Sequence, residues 1–246
     1  MSELERAITE LVIANRILAR EGVVDAYGHV SVRHPADSGR YLLSYSRAPE
    51  LVERGDILEF ALDGTPARAE ARPLYLERFI HGAIYAMRPD VQAVVHAHAE
   101  DVLAFGITAT PLKPVIHSGS FIGEHVPVWD IADKFGSRTN LLVTSMDQGL
   151  DLARCLGEHN VALMRGHGFA AAARSIVEVV RMSVYLPRNA RVQYRAMRMG
   201  EVKALAPGEI AARAAGYKPH SPETQRAWQY WATRAGCGEL LKDLGL

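Results

Sequence analysis

The residues of this chain best suited to do chemistry are two histidines, His96 and His98, which follow a short apolar run at residues 91–95. Such a run is typical of a buried strand, and side chains two residues apart on a strand point to the same face. Both imidazoles could therefore reach one metal ion at the end of that strand. Zinc and similar ions bind imidazole nitrogens at about 2.0–2.1 Å, and a catalytic site keeps one position open for water or substrate.

A third histidine and a carboxylate complete this pattern. His167 follows the apolar run at residues 161–164 and lies between two glycines, which allow close approach of the backbone. Glu77 begins a helical pattern upstream of the two histidines. Taken alone, a His-x-His pair is weak evidence for a metal, and His167 could equally be a histidine in a turn. Together, three histidines at strand ends and one carboxylate predict a metal site with an acid/base group beside it.

Four other side chains are candidates for substrate contact or proton transfer. His81 lies one helical turn after Glu77, so these two could hydrogen-bond in the site or form an ordinary surface pair. His29 lies on an alternating segment and could face either the core or the site. Ser46 and Arg47 lie in a predicted loop, where an arginine beside a metal would bind a carboxylate through two hydrogen bonds.

Hydrophobic periodicity places these residues on alternating short strands and helices. Apolar residues at three- and four-residue steps predict a helix over residues 77–87, which ends before Pro89 because a residue preceding proline disfavours the α region. This alternation favours a single α/β domain with a mixed sheet. Capping residues predict further helices from Ser2, Ser145, Ser175 and Ser221. Strands are predicted at residues 27–33, 41–44, 57–61, 91–98, 115–117, 126–129, 141–144, 161–164 and 169–173.

Composition excludes several classes of partner. A formal net charge of +0 gives no electrostatic footprint for nucleic acid or an anionic membrane surface. Cys155 and Cys237 are too few for a disulfide framework or a cysteine-rich zinc site, and they fit a reducing cytosol. The N-terminus lacks the order of a signal peptide, and no apolar stretch is long enough to span a bilayer. We expect a cytoplasmic protein whose partners are small molecules or copies of itself.

Three segments resemble the class II aldolase/adducin family: GHVSVRHP at 28–35, ERFIHGAIYAMRPDVQAVVHAHA at 77–99 and RGHG at 165–168. The resemblance spans about residues 4–200. It implies one three-layer α/β/α domain over residues 1–246 with a largely antiparallel central sheet. This domain includes a C-terminal helical extension from about residue 205. It also implies a homotetramer with active sites between subunits, and one divalent ion per subunit (Zn, Mn, Fe or Co). The implied metal ligands are His96, His98 and His167, and the implied acid/base is Glu77.

Departures from the sugar-phosphate members of the family narrow the substrate. Those members hold phosphate with a Thr-Gly-type turn and a Ser-Ser pair, whereas this chain has SRAP at 46–49 and LYL at 74–76. The tyrosine that donates a proton in the fuculose-type aldolase aligns near Ser118. These changes resemble the decarboxylase branch, which acts on hydroxylated aromatic or pyridine carboxylates and on acids from ring cleavage. We therefore predict a small-molecule carboxylate as substrate.

The resemblance also implies a division of roles. Decarboxylation and retro-aldol cleavage both leave an enolate that a divalent ion stabilises. We expect Glu77 to move a proton, with His29 as a second proton carrier or polar contact. Arg47, with Ser46, is expected to hold a carboxylate that stays on the substrate, and His81 is expected to be a further substrate contact. An aldolase acting on an unphosphorylated hydroxy-aldehyde, a non-haem iron oxygenase and a non-catalytic adducin-like domain remain alternatives.

Overall fold

A computed structural model describes residues 1–218 and 221–246. Seven strands in these ranges are β1 His29–Arg33, β2 Arg40–Ser44, β3 Ile57–Ala61, β4 Ala93–Ala97, β5 Val128–Trp129, β6 Val161–Met164 and β7 Gly168–Ala173. They form one sheet in the order β3-β2-β1-β4-β7-β6-β5. Only β5 and β6 pair in parallel, and the remaining neighbours pair antiparallel, so the sheet is mixed.

The helices alternate with these strands along the chain, as the sequence predicted. They are α1 Glu3–Arg20, α2 Arg78–Met87, α3 Glu100–Gly106, α4 Ile131–Phe135, α5 Met146–Leu156, α6 Ile176–Met197, α7 Pro207–Gly216, α8 Pro222–Arg234 and α9 Gly238–Asp243. The four predicted capping serines each accept a hydrogen bond at the start of their helix: Ser2, Ser145, Ser175 and Ser221. None of the helices within the described ranges has the length and apolar character that a membrane crossing requires.

The central strand β4 contributes side chains to two hydrophobic cores, because alternate residues of a strand point in opposite directions. Ala93 and Val95 face a core built with α1, α6 and α8, whereas Val94 faces a core built with α2 and α5. Trp228 of α8 is buried in the first core, while Tyr230 is exposed. The α2/α5 side matters most for function, since α2 and the neighbouring strands carry the candidate site.

Two predicted strands are wrong. Residues 115–117 lead into a 3-10 turn, because the Asn189 side chain accepts hydrogen bonds from the amides of Val115 at 2.9 Å and Ile116 at 3.3 Å. Residues 141–144 form no strand either, since Leu141 adopts a left-handed φ of 67°. That segment instead turns its backbone groups toward the candidate site.

Candidate metal centre

Four side chains from three separate segments of the sequence meet at one end of the sheet. Glu77, His96, His98 and His167 each offer one ligand atom, and these atoms all lie within 4.8 Å of one another. The Nε2 atoms of His96 and His98 are 3.0 Å apart. Glu77 Oε2 lies 3.4 Å from His96 Nε2 and 3.4 Å from His167 Nε2. The structure thus brings together the three predicted ligands and the predicted acid/base.

Local backbone structure places each of the three histidines. His96 lies within the central strand β4, and His98 follows that strand by one residue, so both project near its end. His167 lies in the tight turn that joins β6 to β7. Gly168 follows it at a point where an added Cβ would collide with the carbonyl oxygen of Ala97. A side chain there would push His167 away from β4, so the glycine is required for the three rings to meet.

The second nitrogen of two rings is held by a backbone carbonyl. His96 Nδ1 lies 3.0 Å from the oxygen of Phe169, and His167 Nδ1 lies 2.9 Å from the oxygen of Leu141. A carbonyl oxygen can only accept, so both Nδ1 atoms carry a hydrogen, and in the neutral rings both Nε2 atoms present a bare lone pair. Metal-binding histidines are commonly oriented in this way.

The donor set fits a divalent transition-metal ion. Bonds of about 2.0–2.1 Å in a tetrahedral arrangement separate neighbouring ligand nitrogens by about 3.3 Å. The separation of 3.0 Å between His96 Nε2 and His98 Nε2 is close to that value. Two ring nitrogens at this distance need either a hydrogen on one of them or a cation between them. Imidazoles with a carboxylate are typical ligands of Zn, Mn, Fe and Co.

Glu77 is held as a carboxylate at the beginning of α2. Its Oε1 accepts a hydrogen bond of 3.0 Å from the amide of Val143, which leaves Oε2 facing the histidines. Burial alone would raise the pKa of Glu77, but the His96 and His167 imidazoles, which donate to Oε2 when they carry a hydrogen on Nε2 as well, outweigh burial and lower it well below its usual range. The left-handed turn at Leu141 thus serves both neighbours, since its carbonyl holds His167 and the amide two residues on holds Glu77.

His29 and His81 lie beside this centre, and both side chains are buried. His29 is directly opposite His96 in the β1/β4 register, and their ring centroids are 5.2 Å apart. His29 Nδ1 lies 2.6 Å from His81 Nε2, and His81 Nδ1 lies 2.6 Å from Ser31 Oγ. His81 is fully buried with both nitrogens engaged. The predicted pairing of His81 with Glu77 is therefore wrong, and His81 lies behind His29, where a substrate cannot touch it directly.

Ser46 and Arg47 lie in a loop that reaches the site through a tyrosine that sequence reasoning missed. The hydroxyl of Tyr75 donates to the carbonyl of Arg47, and the Tyr75 ring lies 4.6 Å from the His29 ring. The Arg47 guanidinium itself binds Asp56 Oδ2 at 2.5 Å, so a substrate carboxylate would have to compete with that ion pair. Ser46 is exposed.

Comparisons of sequence identify a family model and related proteins that match this chain. The family model described as the class II aldolase and adducin N-terminal domain matches residues 9–194. Decarboxylase tropJ of Talaromyces stipitatus is 36% identical over 258 residues, which covers 93% of this chain and 93% of that protein. The 3,4-dihydroxyphthalate decarboxylase of Arthrobacter keyseri is 30% identical over 189 residues, covering 71% of this chain and 72% of that protein.

Comparison of structure supports the fold. A crystal structure of an aldolase II superfamily protein from Pseudomonas syringae superimposes with a TM-score of 0.78 and 21% identity. The superposition covers 98% of this chain and 96% of that one. At this identity the likeness shows the class II aldolase fold, and the chemistry must be argued from the side chains.

The buried histidines predict that the metal-free protein loses stability as the pH falls below about 6.5. Burial first, and the nearby His96 second, lower the pKa of His81 to about 3 and that of His98 to about 4. The unfolded chain takes up these protons below about pH 6.5, whereas the folded chain does not. The unfolded state then binds more protons, so lower pH favours it. With a chelator present, we expect a lower free energy of unfolding in urea at about pH 5 than at about pH 7.

Substitution separates this effect from general acid sensitivity. His98→Asn removes one depressed imidazole and should shrink the difference between the two pH values. His117→Asn changes an exposed histidine and should leave the difference as in the wild type. A wild-type protein equally stable at both pH values would contradict the burial of neutral imidazoles.

Proposed function

Because this chain belongs to the class II aldolase and adducin family, we propose that it is a divalent-metal-dependent carbon–carbon lyase. More specifically, we propose a decarboxylase of a hydroxylated aromatic, or ring-cleavage-derived, carboxylic acid. The observation that carries the proposal is the convergence of three imidazole nitrogens and one carboxylate oxygen within 4.8 Å. An adducin-like domain without catalysis would have no need for such a set.

His96, His98 and His167 would hold the ion, one per subunit, with Zn, Mn, Fe and Co all compatible with the nitrogen donors. A divalent ion supplies the positive charge that stabilises an oxygen anion next to the bond that breaks. Three neutral ligands leave that charge undiminished, which suits the ion to this use.

Glu77 is the proposed proton-transfer group. The amide of Val143 fixes Oε1, so only Oε2 is free to take up a proton and deliver it to the carbon that loses carbon dioxide. Its lowered pKa keeps it a carboxylate before reaction. His29 is the second proposed proton carrier or polar contact, since its ring lies beside His96.

The substrate class is proposed from the relatives and from the Tyr75 side of the site. The Arthrobacter relative is named for 3,4-dihydroxyphthalate, an aromatic ring with two hydroxyls and two carboxylates. A second carboxylate that remains on such a ring would find Arg47 and Ser46 on the loop held by Tyr75. The departing carboxylate should meet no tight cation, because stabilising its ground-state charge would slow its loss.

An aldolase acting on an unphosphorylated hydroxy-aldehyde is the second candidate, favoured by the family and by the aldolase fold. The same centre would serve either reaction, because both leave an enolate. The departing fragment differs: carbon dioxide in one case and an aldehyde in the other. The fragment released is therefore the observable that separates them.

Several finer features are part of the same proposal. We propose a three-layer α/β/α arrangement with a largely antiparallel sheet, in one domain with a helical extension from about residue 205. We also propose a cytoplasmic homotetramer with active sites at subunit boundaries. Neither nucleic acid nor a membrane is a proposed partner. Tyr230 and Met199, both exposed apolar side chains, are available to such contacts.

The direct test is a panel of hydroxy-aromatic mono- and dicarboxylates incubated with the metal-loaded protein. We expect release of carbon dioxide from an acid with a hydroxyl next to the departing carboxylate, and loss of that release with a chelator. Aldehyde release from hydroxy-aldehydes alone would favour the aldolase. Oxygen uptake with ferrous iron would favour an oxygenase, and a folded protein that binds no metal would contradict the lyase.

Two substitutions should differ in kind once a substrate is known. Glu77→Gln should mainly lower kcat, by about 10²–10⁴-fold, with metal retained, because it removes the proton-transfer group. Arg47→Ala should mainly raise KM, losing roughly 1.5–3 kcal/mol of charge-assisted binding. Steady-state kinetics and elemental analysis measure both.

The ion pair of Arg47 with Asp56 calls for a control. Asp56→Asn breaks the same pair and leaves the guanidinium in place, so it should share any loss of stability without raising KM, since the substrate no longer competes with the Asp56 carboxylate. A Glu77→Gln variant with normal kcat, or an Arg47→Ala variant without any turnover, would contradict these roles.

A further inference from the structure

Four buried polar side chains form a continuous hydrogen-bonded chain that leads away from the metal centre. His29 Nδ1 contacts His81 Nε2 at 2.6 Å, and His81 Nδ1 contacts Ser31 Oγ at 2.6 Å. Ser31 Oγ then contacts the hydroxyl of Tyr85 at 2.8 Å. His29 is 4% exposed, and the other three are at most 1% exposed. Strand β1 supplies His29 and Ser31, and α2 supplies His81 and Tyr85, so these hydrogen bonds join the strand to the helix.

Counting hydrogens gives this chain a direction. With neutral imidazoles, each of the four side chains carries one polar hydrogen, and three contacts join them. Each contact uses one hydrogen, so one hydrogen must project without a partner in the chain. If it projected from Tyr85 or Ser31, a buried hydroxyl would lack an acceptor, since the described residues provide none beyond the chain itself. An unsatisfied buried donor is costly. The remaining place is Nε2 of His29.

The His29 end is the one that meets the candidate site. His29 lies directly opposite His96 in the sheet register, with ring centroids 5.2 Å apart, and packs against Tyr75 on the side of the loop that carries Arg47. Its Nδ1 edge is turned to His81, so its Nε2 edge is turned away from α2. The described residues give Nε2 no hydrogen-bond partner, and it is not among the fully buried polar atoms that lack one.

We propose that Ser31 and His81 are positioning residues that fix His29 in the tautomer with its hydrogen on Nε2, with Tyr85 as the far end of their hydrogen-bonded chain. Each donates to the next: Tyr85 to Ser31, Ser31 to His81 Nδ1, and His81 Nε2–H to His29 Nδ1. His29 then offers a neutral N–H donor to an oxygen acceptor of the ligand, such as a phenolate or the enolate oxygen left when carbon dioxide departs. This assignment of the acceptor rests on the proposed function, whereas the tautomer itself does not.

Nitrogen-15 NMR of the histidine rings tests the tautomer without any substrate. Spectra of the chelator-treated and the zinc-loaded protein should both show His29 protonated at Nε2 and bare at Nδ1. Ser31→Ala removes the donor to His81 and should give a mixture of His29 tautomers. Tyr85→Phe leaves Ser31 able to donate to His81, so it should keep the wild-type tautomer. Ser183→Ala is the matched control, because Ser183 is a fully buried serine without a hydrogen-bond partner in the described ranges.

Once a carboxylic acid substrate is known, steady-state kinetics extend the test. Ser31→Ala should lower kcat by roughly fivefold to tenfold with little change in KM, the factor expected when one ordinary hydrogen bond no longer favours the productive tautomer. Ser183→Ala should behave as the wild type. Because Ser31 contacts no ligand, a change in kcat together with a changed tautomer is not what a packing defect would give.

The outcomes separate this inference from the proposed function. Wild-type His29 protonated at Nδ1, or a Ser31→Ala variant with the tautomer and kcat of Ser183→Ala, would overturn the inference even if carbon dioxide is released. The predicted tautomers in a protein that releases no carbon dioxide would support the inference and contradict the decarboxylase instead.

Discussion

The rest of the structure depends on the close approach of two imidazole nitrogens, His96 Nε2 and His98 Nε2, which the fold holds 3.0 Å apart. Water would normally separate such groups, but here His96 is fully buried and Glu77 nearly so. In the metal-free protein a hydrogen on one of the two nitrogens joins them, and a cation between the rings would take its place. Backbone carbonyls prevent the simplest escape, which is rotation of the rings: Phe169 holds His96, and Leu141 holds His167. The protein therefore stores an arrangement that a divalent ion would stabilise.

Few elements are needed to build this arrangement. The β1/β4 register sets His29 beside His96, and the tight β6–β7 turn brings His167 to the same end of the sheet. Helix α2 contributes twice, with Glu77 at its beginning and His81 one turn further on against β1. A shift of α2 along the sheet would disturb the carboxylate and the hydrogen-bonded chain together. This shared dependence explains why the metal centre and the buried chain must be considered as one unit.

The sequence predicted the parts of the site that follow from strand geometry. His96 and His98 meet because their spacing matches a strand. His167 and Glu77 were candidates from their places at a strand end and at a helix start, and the family resemblance supported both. Prediction from the sequence failed where contacts between distant segments determine the local structure. The apolar run at 141–144 suits a strand, yet its amide and carbonyl groups bind Glu77 and His167 instead of a neighbouring strand. His81 was paired with Glu77 by helical spacing, but Glu77 precedes the helix and has no helical backbone angles.

The buried chain illustrates the same limit. Alternation on β1 puts His29 and Ser31 on one face, and a four-residue step on α2 does so for His81 and Tyr85. Each pattern is readable alone, but joining them requires knowing that α2 packs on β1. Roles that depend on a ligand, such as that proposed for Arg47, are harder still to predict from the sequence, because the Arg47 guanidinium is already paired with Asp56.

The central claim is that three histidines hold a divalent ion, and X-ray absorption at the edge of zinc loaded into the protein measures this most directly. The account predicts one equivalent of zinc with three imidazole nitrogens at about 2.0–2.1 Å, and loss of that signal in a folded His167→Ala variant. A first shell of oxygen atoms without imidazole, or a shell unchanged by His167→Ala, would contradict it.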